Sequence, residues 1–512
     1  MQPRESVAIE RREGLLPIRH AAIMMRTYML GAAIHGVSGR VATMGETMSA
    51  NDPVLTRRGF VRRVGLTATA LAALPLLAAC TGSAPAPPAP GPSPSAEPAP
   101  TAVRFAPTLV IAAGTQLALL VTSGASATAD AQFDALANEW GRQHGMAVAI
   151  ETVAPAIARA RLAAPGGMAG LDIVQCRDNW AWIADGRFAD VSAEAESLAA
   201  AFGGYYAAPA MQAYVAGTAG AAGTWRAIPF VVAPSALIYR ADWVKAVGAI
   251  AFPTTTDELL KMGKALKGAG HPFGASAGRS VEDPRALWHA ILWAFGGRVT
   301  EADGTTIAIG GPETVAALEW ARQFWAEACL PEGLTWDDNG NNVAYGNAQI
   351  AATQNGPNLY LKIRRDAPEL AAQSALAPFP AGPGGQAAPV TTYAHAVLAE
   401  APHGDAARAF LTWLGQRAQT DRYLMAGGGA LVATLHGYED SPVWSSDPKL
   451  RAFLAAAGSG RWVGWPAAPS ATASAADAGF VVVDMFARVL AGKTSQASIG
   501  EAEAALRGIL AS

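Results

Sequence analysis

The chain has 512 residues, 51% of them hydrophobic and 8% aromatic, with a formal net charge of -3. That length is enough for two or three ordinary domains, and the near-neutral balance argues against a nucleic-acid interface or an electrostatic membrane patch. Its three cysteines, Cys80, Cys176 and Cys329, are too few for a disulfide framework or a cysteine-built zinc site.

Residues 1–55 lack helical or alternating periodicity and are set apart as an extension or an over-long reading frame, with Met48 as a second start. Between Thr56 and Ser83, four arginines (Arg57, Arg58, Arg62, Arg63) precede an uncharged apolar run, Val64–Ala79. The run is short for a bilayer span and suits the apolar core of an export signal. It ends at Leu77-Ala78-Ala79-Cys80, which resembles a bacterial lipoprotein signal and implies acylation of Cys80. Thr56-Arg57-Arg58-Gly59-Phe60-Val61 resembles a twin-arginine export motif, which implies export after folding. Residues 56–80 are therefore expected to be a signal, and 81–104, rich in Ala, Pro and Ser, a semi-rigid spacer.

From Thr108 the pattern changes. Thr108–Thr122 reads as one or two buried strands, and Phe133, Leu136, Ala137 and Trp140 recur on one helical face. Strands follow at Val148–Val153 and Leu171–Val174, so strands and helices alternate as in an α/β sheet with mainly parallel order. Ligands in such sheets sit beyond the carboxyl ends of strands. At that place stand Asp178, Asn179 and Trp180, where carboxylate and amide suit hydroxyls and an indole face suits sugar C–H groups. The alternative is that Asp178 or Asn179 merely caps a helix Trp180–Asp185. Thr255 or Thr256, followed by Asp257 and Glu258, is a good helix start.

The order of further motifs carries a resemblance. Leu171–Val174, Asp185–Val191, Trp225–Phe230, Leu237–Trp243, Phe252–Leu260, Ala344–Ala351, Asn355-Gly356-Pro357-Asn358, Gly427–Ala433 and Phe480–Gly492 with Lys493-Thr494-Ser495 together resemble the family 1 extracellular solute-binding proteins of ABC importers. The resemblance implies an α/β, two-lobed periplasmic-binding-protein-like fold of type II, with discontinuous lobes joined by hinge strands. The lobes are expected at 105–232 plus 391–436 and at 233–390 plus 437–512. Cys176 and Cys329 would then lie in different lobes as free, buried thiols. The family's usual aromatic after Gly-Pro is Asn358 here, which implies a hydrogen-bonding role.

Other constellations are weaker. Gly492-Lys493-Thr494 lacks P-loop spacing and follows its helix. Adjacent Asp337 and Asp338 point to opposite sides on an extended chain, unlike a glycosidase pair flanking a bond. Trp288, Trp293, Trp320 and Trp325 read as core, whereas Trp336, Trp462 and Trp465 lie in loop-like stretches and are better ligand candidates. The expected contacts are thus Asp178, Asn179 and Trp180 on one lobe, and Trp336, Asp337, Asn355, Asn358, Trp462 and Trp465 on the other. The expected ligand is a mono- or oligosaccharide, since no arginine cluster for a phosphate is evident. The expected partners are an ABC permease and, through Cys80, a membrane; the protein is expected to be an exported monomer without metal, cofactor or nucleic acid. A carbohydrate-acting enzyme using Asp337, and a solute sensor, are the alternatives.

Overall fold

The computed structural model describes residues 115–123, 126–217 and 222–511. The export-type stretch, Cys80, the spacer and the first half of Thr108–Thr122 lie outside the described residues. A six-stranded sheet has the order Val432–Ala433, Ile228–Ala233, Thr391–Val397, Ile173–Arg177, Gln116–Thr122, Ala147–Val153. The last three strands are mutually parallel, as the alternating pattern predicts, and Thr391–Val397 runs antiparallel to both neighbours. Every residue of Thr391–Val397 is buried, as a central strand covered on both faces requires.

Helices cover this sheet on both sides. On Ala127–His144 the expected stripe is the buried one: Phe133, Leu136, Ala137 and Trp140 are all at most 4% exposed. Each large side chain in such a stripe contributes roughly 1.5–3 kcal/mol by burial. The helix ends at Gly145, whose φ of 65° is the left-handed conformation that glycine adopts without strain. The opposite face is sealed by Ala158, Leu162, Trp180 and Phe188.

A second sheet has the order Ser374–Ala377, Ala236–Arg240, Ala352–Asn355, Phe273–Gly274. The chain passes from the first sheet to the second between Ala233 and Ala236, and back between Ala377 and Thr391. A third crossing follows Val432–Ala433. The second lobe's core gathers Trp288, Trp293, Phe324, Phe486 and Cys329. Thr255 caps helix Thr256–Gly268 through a capping box with Glu258. The apolar packing is not divided cleanly between lobes. Tyr345, Tyr360, Phe453 and Ile238 join the first lobe's core, because both crossing strands carry apolar residues through the waist.

One local expectation shifts. The helix after Asn179 is a single turn, Trp180–Ile183, followed by a 3-10 turn at Asp185–Arg187. Helix Val481–Leu490 is followed by a further helix, Ser495–Leu510, with Thr494 as its cap. Cys176 and Cys329 are free and buried, one in each lobe. Burial pushes both thiols well above their usual range.

Candidate functional site

A cavity of about 560 Å³ opens between the lobes. Strand Ile173–Arg177 delivers one wall by running straight into it. Arg177, Asp178, Asn179 and Trp180 leave the sheet in succession, so consecutive residues become consecutive cleft groups. Asp178 has a φ of 47°, a conformation uncommon for a residue with a side chain. Its N–H donates to the Thr392 carbonyl at 3.1 Å, and its carboxylate accepts from the Thr392 N–H at 3.2 Å. The pairing holds the turn in place and sets the Asp178 backbone at the cleft edge.

The facing wall comes from two segments far apart in sequence. Helix Asp283–Ala294 begins at the cleft, with Pro284 in its first turn, and presents Glu282, Arg285 and His289. The segment ending in Phe480, itself at φ 57°, presents Ser474 and Asp477. Among the described residues, two of the three non-glycine residues with positive φ thus stand on opposite walls, which matches the tendency of backbone strain to gather at functional sites. Arg285 Nε binds Asp477 Oδ1 at 3.0 Å. Burial works against the Arg285 charge, but the carboxylates of Asp477, Asp178 and Glu282 outweigh it and hold the guanidinium above its usual pKa.

The lobes touch across the gap. Arg177 lies 3.6 Å from Glu282. Asn179, only 1% exposed, donates from Nδ2 to the Val463 carbonyl at 3.1 Å and to Ser474 Oγ at 3.3 Å, and accepts from Gln212 Nε2 at 3.4 Å. Glu282 keeps about half of its side chain open (52%). Its desolvation by the cleft walls nevertheless raises its pKa, against the pull of Arg177 and Arg285.

A smaller chamber of about 190 Å³ continues past Glu282 and Arg285, lined also by Asp283, Asp338, Asn355 and Asn358. Burial pushes Asp283 well above the usual carboxylate range, and its Oδ2 accepts from Asn341 at 2.9 Å and Asn355 at 2.6 Å. Asn355 is fixed by that network, while Asn358 is exposed.

The expected contacts therefore separate. Asp178, Asn179 and Trp180 line the main cavity; Asn355 and Asn358 line the inner chamber. Asn179 lies at the helix N-cap but makes no capping bond: its Oδ1 accepts from Gln212 instead, while its Nδ2 donates to the other lobe. Trp336 and Asp337 line neither chamber. Trp336 packs so closely on Gly340 that an added Cβ there would lie 2.5 Å from the indole. Asp337 turns its carboxylate onto the N–H groups of Asn339 and Gly340, at 2.9 and 3.1 Å. Its neighbour Asp338 reaches the inner chamber instead, accepting from the Asp283 N–H at 2.8 Å. Trp462 is buried and donates to the Ala467 carbonyl at 2.7 Å; Trp465 packs edge-on against Trp293 at 6.1 Å. Neither tryptophan lines the two chambers.

The sequence reading missed Arg159, Arg177, Arg285, Glu282 and Asp477. It saw no arginine cluster, yet three arginines reach one cavity because three separate segments carry them. The run Glu282-Asp283-Pro284, two acids before a proline at a helix start, was the available signal. Among the described residues, no three His, Cys, Asp or Glu side chains are grouped to hold a metal.

Comparison with known proteins falls in line with this architecture. Residues 124–421, more than half of the chain, match the profile of the bacterial extracellular solute-binding proteins. A probable ABC transporter-binding protein of Deinococcus radiodurans is 25% identical over 239 residues, which cover 43% of this chain. The chain spans about half of that curated relative, 54% of its length. Among solved structures, the sugar-binding protein MalE of Xanthomonas citri superposes with a TM-score of 0.65 at 17% identity, covering 78% of this chain and 98% of its own. Maltose-bound T. maritima MalE3 gives 0.63 at 19%, covering 77% and 100%. A ribitol complex of an ABC transporter solute-binding protein from Agrobacterium radiobacter gives 0.60 at 20%, covering 78% and 99%. These likenesses establish the fold: the two-lobed type II plan expected from the sequence.

Proposed function

This chain belongs to the bacterial extracellular solute-binding proteins, and on that premise we propose that it is the exported receptor of an ABC importer, carrying a mono- or oligosaccharide. The observation that carries the reading is the interlobe cavity, where hydrogen-bonding groups from both lobes converge. Asp178 faces Glu282, Arg285 and Asp477, with Asn179 bridging the two walls and Trp180 in the wall. Carboxylates accept and guanidinium groups donate, so their mixture suits hydroxyls, which do both; charge strengthens each bond. An indole beside them supplies a face for sugar C–H groups. The solved relatives named for maltose and ribitol support this class of ligand.

Binding stabilises whichever arrangement lets solute touch both walls, so the lobes close over it. The role is capture and delivery, not turnover: the carboxylate of Asp337, which an enzyme reading needs, is engaged with backbone N–H groups. The export-type stretch and Cys80 fit a lipid tether that holds one copy of the receptor near its permease and raises its local concentration. Replacing Cys80 with Ser is expected to move the protein from the membrane fraction to the soluble one.

The deciding experiment is a thermal-shift screen of the purified protein against glucose, maltose, ribitol and tagatose, with amino acids as the contrasting set. A sugar at a hundred times its Kd is expected to add about 2.7 kcal/mol of stability. Stabilisation by an amino acid, with none from any carbohydrate or polyol, overturns the reading.

A further inference from the structure

Arg285 has a buried terminal nitrogen without a partner. Its Nε is bound to Asp477, but its second terminal nitrogen, Nη2, is buried and has no acceptor among the described residues. The side chain is only 11% exposed. A guanidinium carries five N–H donors and cannot turn one into an acceptor. Buried polar groups are nearly always satisfied, so an orphan donor at a cavity wall calls for a partner from outside the chain. Arg285 lines both the main cavity and the inner chamber, so its side chain stands at the neck where the two meet.

The charges around the neck define that partner. In the main cavity Arg159, Arg177 and Arg285 are balanced by Asp178, Glu282 and Asp477. The inner chamber adds Asp338 without adding a base, and also Asp283, whose charged form burial disfavours. An anion brought to Arg285 would meet this excess of carboxylates at close range, and like charges confined together are costly. A neutral oxygen meets no such opposition. Its lone pair satisfies Nη2, and where it is a hydroxyl its proton is available to Glu282.

We propose that Arg285 is the specificity-determining residue of the cleft, donating from Nη2 to a hydroxyl or ring oxygen of a neutral polyhydroxylated solute seated at the neck, and that the cleft rejects anionic sugars. This rests on the carbohydrate reading above and narrows it. Asp477 acts as a positioning residue: it holds the guanidinium by Nε and leaves Nη2 directed at the solute.

The test compares glucose, maltose and ribitol with glucuronate and glucose 6-phosphate, by thermal shift and calorimetry on the full protein. At least one neutral compound is expected to bind, with the anionic ones weaker. Arg285→Lys keeps a cation beside Asp477 but lacks the lateral donor. It is expected to fold and to bind that neutral compound about ten- to a hundredfold more weakly; Arg285→Met is expected to lose at least as much. Unchanged affinity in a folded Arg285→Lys overturns this proposal while leaving the carbohydrate reading intact. Tighter binding of glucuronate or glucose 6-phosphate than of every neutral compound does the same without any variant. Failure of all five compounds to bind sinks both.

Discussion

The two walls of the cleft are built in opposite ways. The first lobe displays Arg177, Asp178, Asn179 and Trp180 contiguously from one strand end, beside Arg159 from helix Pro155–Ala163. The second assembles its wall from Glu282 and Arg285 at a helix start, Asp338 in a turn, Asn355 at a strand end, and Ser474 and Asp477 much later. A contiguous wall is anchored by its own sheet, as the Asp178–Thr392 pairing shows. An assembled wall is held only by tertiary contacts and ion pairs such as Arg285–Asp477. One consequence is that the second wall can change its chemistry piecemeal, while most of the first changes only with its strand.

Several measurements put that contrast at risk, beginning with the largest expected effect. Each lobe buries a histidine. His395, stacked on Phe133 at 5.3 Å, is held by burial at a pKa of about 3, against an unfolded value near 6.5. Its charged form is disfavoured in the fold, so its contribution is complete above pH 6.5 and is lost as pH falls towards 3. The full loss is about 4–5 kcal/mol. His289 is also lowered by burial, but Asp477 beside it opposes that shift. Urea midpoints between pH 4 and 7 should therefore flatten more in His395→Phe than in His289→Phe; the reverse order would place the acid weakness in the assembled wall.

Next in size is Asn179→Ala, which removes the bridge to Val463 and Ser474 and leaves buried groups unpaired. A loss of about 1–3 kcal/mol is expected, with a larger radius of gyration in solution scattering. If scattering is unchanged, the bridge does not hold the lobes together. Asp178→Val should cost roughly 1–2 kcal/mol because its φ of 47° disfavours a branched residue, whereas Asp178→Asn should lose solute affinity with little loss of stability. Smallest is the adjacent pair: Asp337→Ala is expected to cost about 1 kcal/mol as a lost helix-start contact and leave solute affinity untouched, while Asp338→Ala weakens affinity. Equal effects of the two on affinity would mean that the cleft extends beyond its present walls.

What the sequence made legible follows from the same contrast. The alternation of strand and helix, the buried stripe of Ala127–His144 and the Thr255 cap are all local, and each is readable from spacing alone. Asp178, Asn179 and Trp180 were legible because a strand end places neighbours in sequence together in space. Arg159, Arg285 and Asp477 were not, since only the closed tertiary fold brings them to one cavity. The tryptophans show the converse limit. Trp336 and Trp462 sit in irregular backbone, which favours exposure, yet Gly340 gives one a cradle and the Ala467 carbonyl gives the other a partner. Composition near a loop does not say which way an indole turns.

The strand Thr391–Val397 has a bearing on how the protein comes into being. It is the seam between Ile173–Arg177 and Ile228–Ala233, so those two strands cannot be joined until Val397 has emerged from the ribosome. From the emergence of Ala233 to that of Val397, the first lobe is an incomplete sheet whose Ile173–Arg177 and Ile228–Ala233 edges stand open. Pairings of such long sequence separation form slowly, and open strand edges invite association with other chains. A nascent chain of this kind has reason to be met by a chaperone, and a product truncated before Thr391 has no route to a finished first lobe.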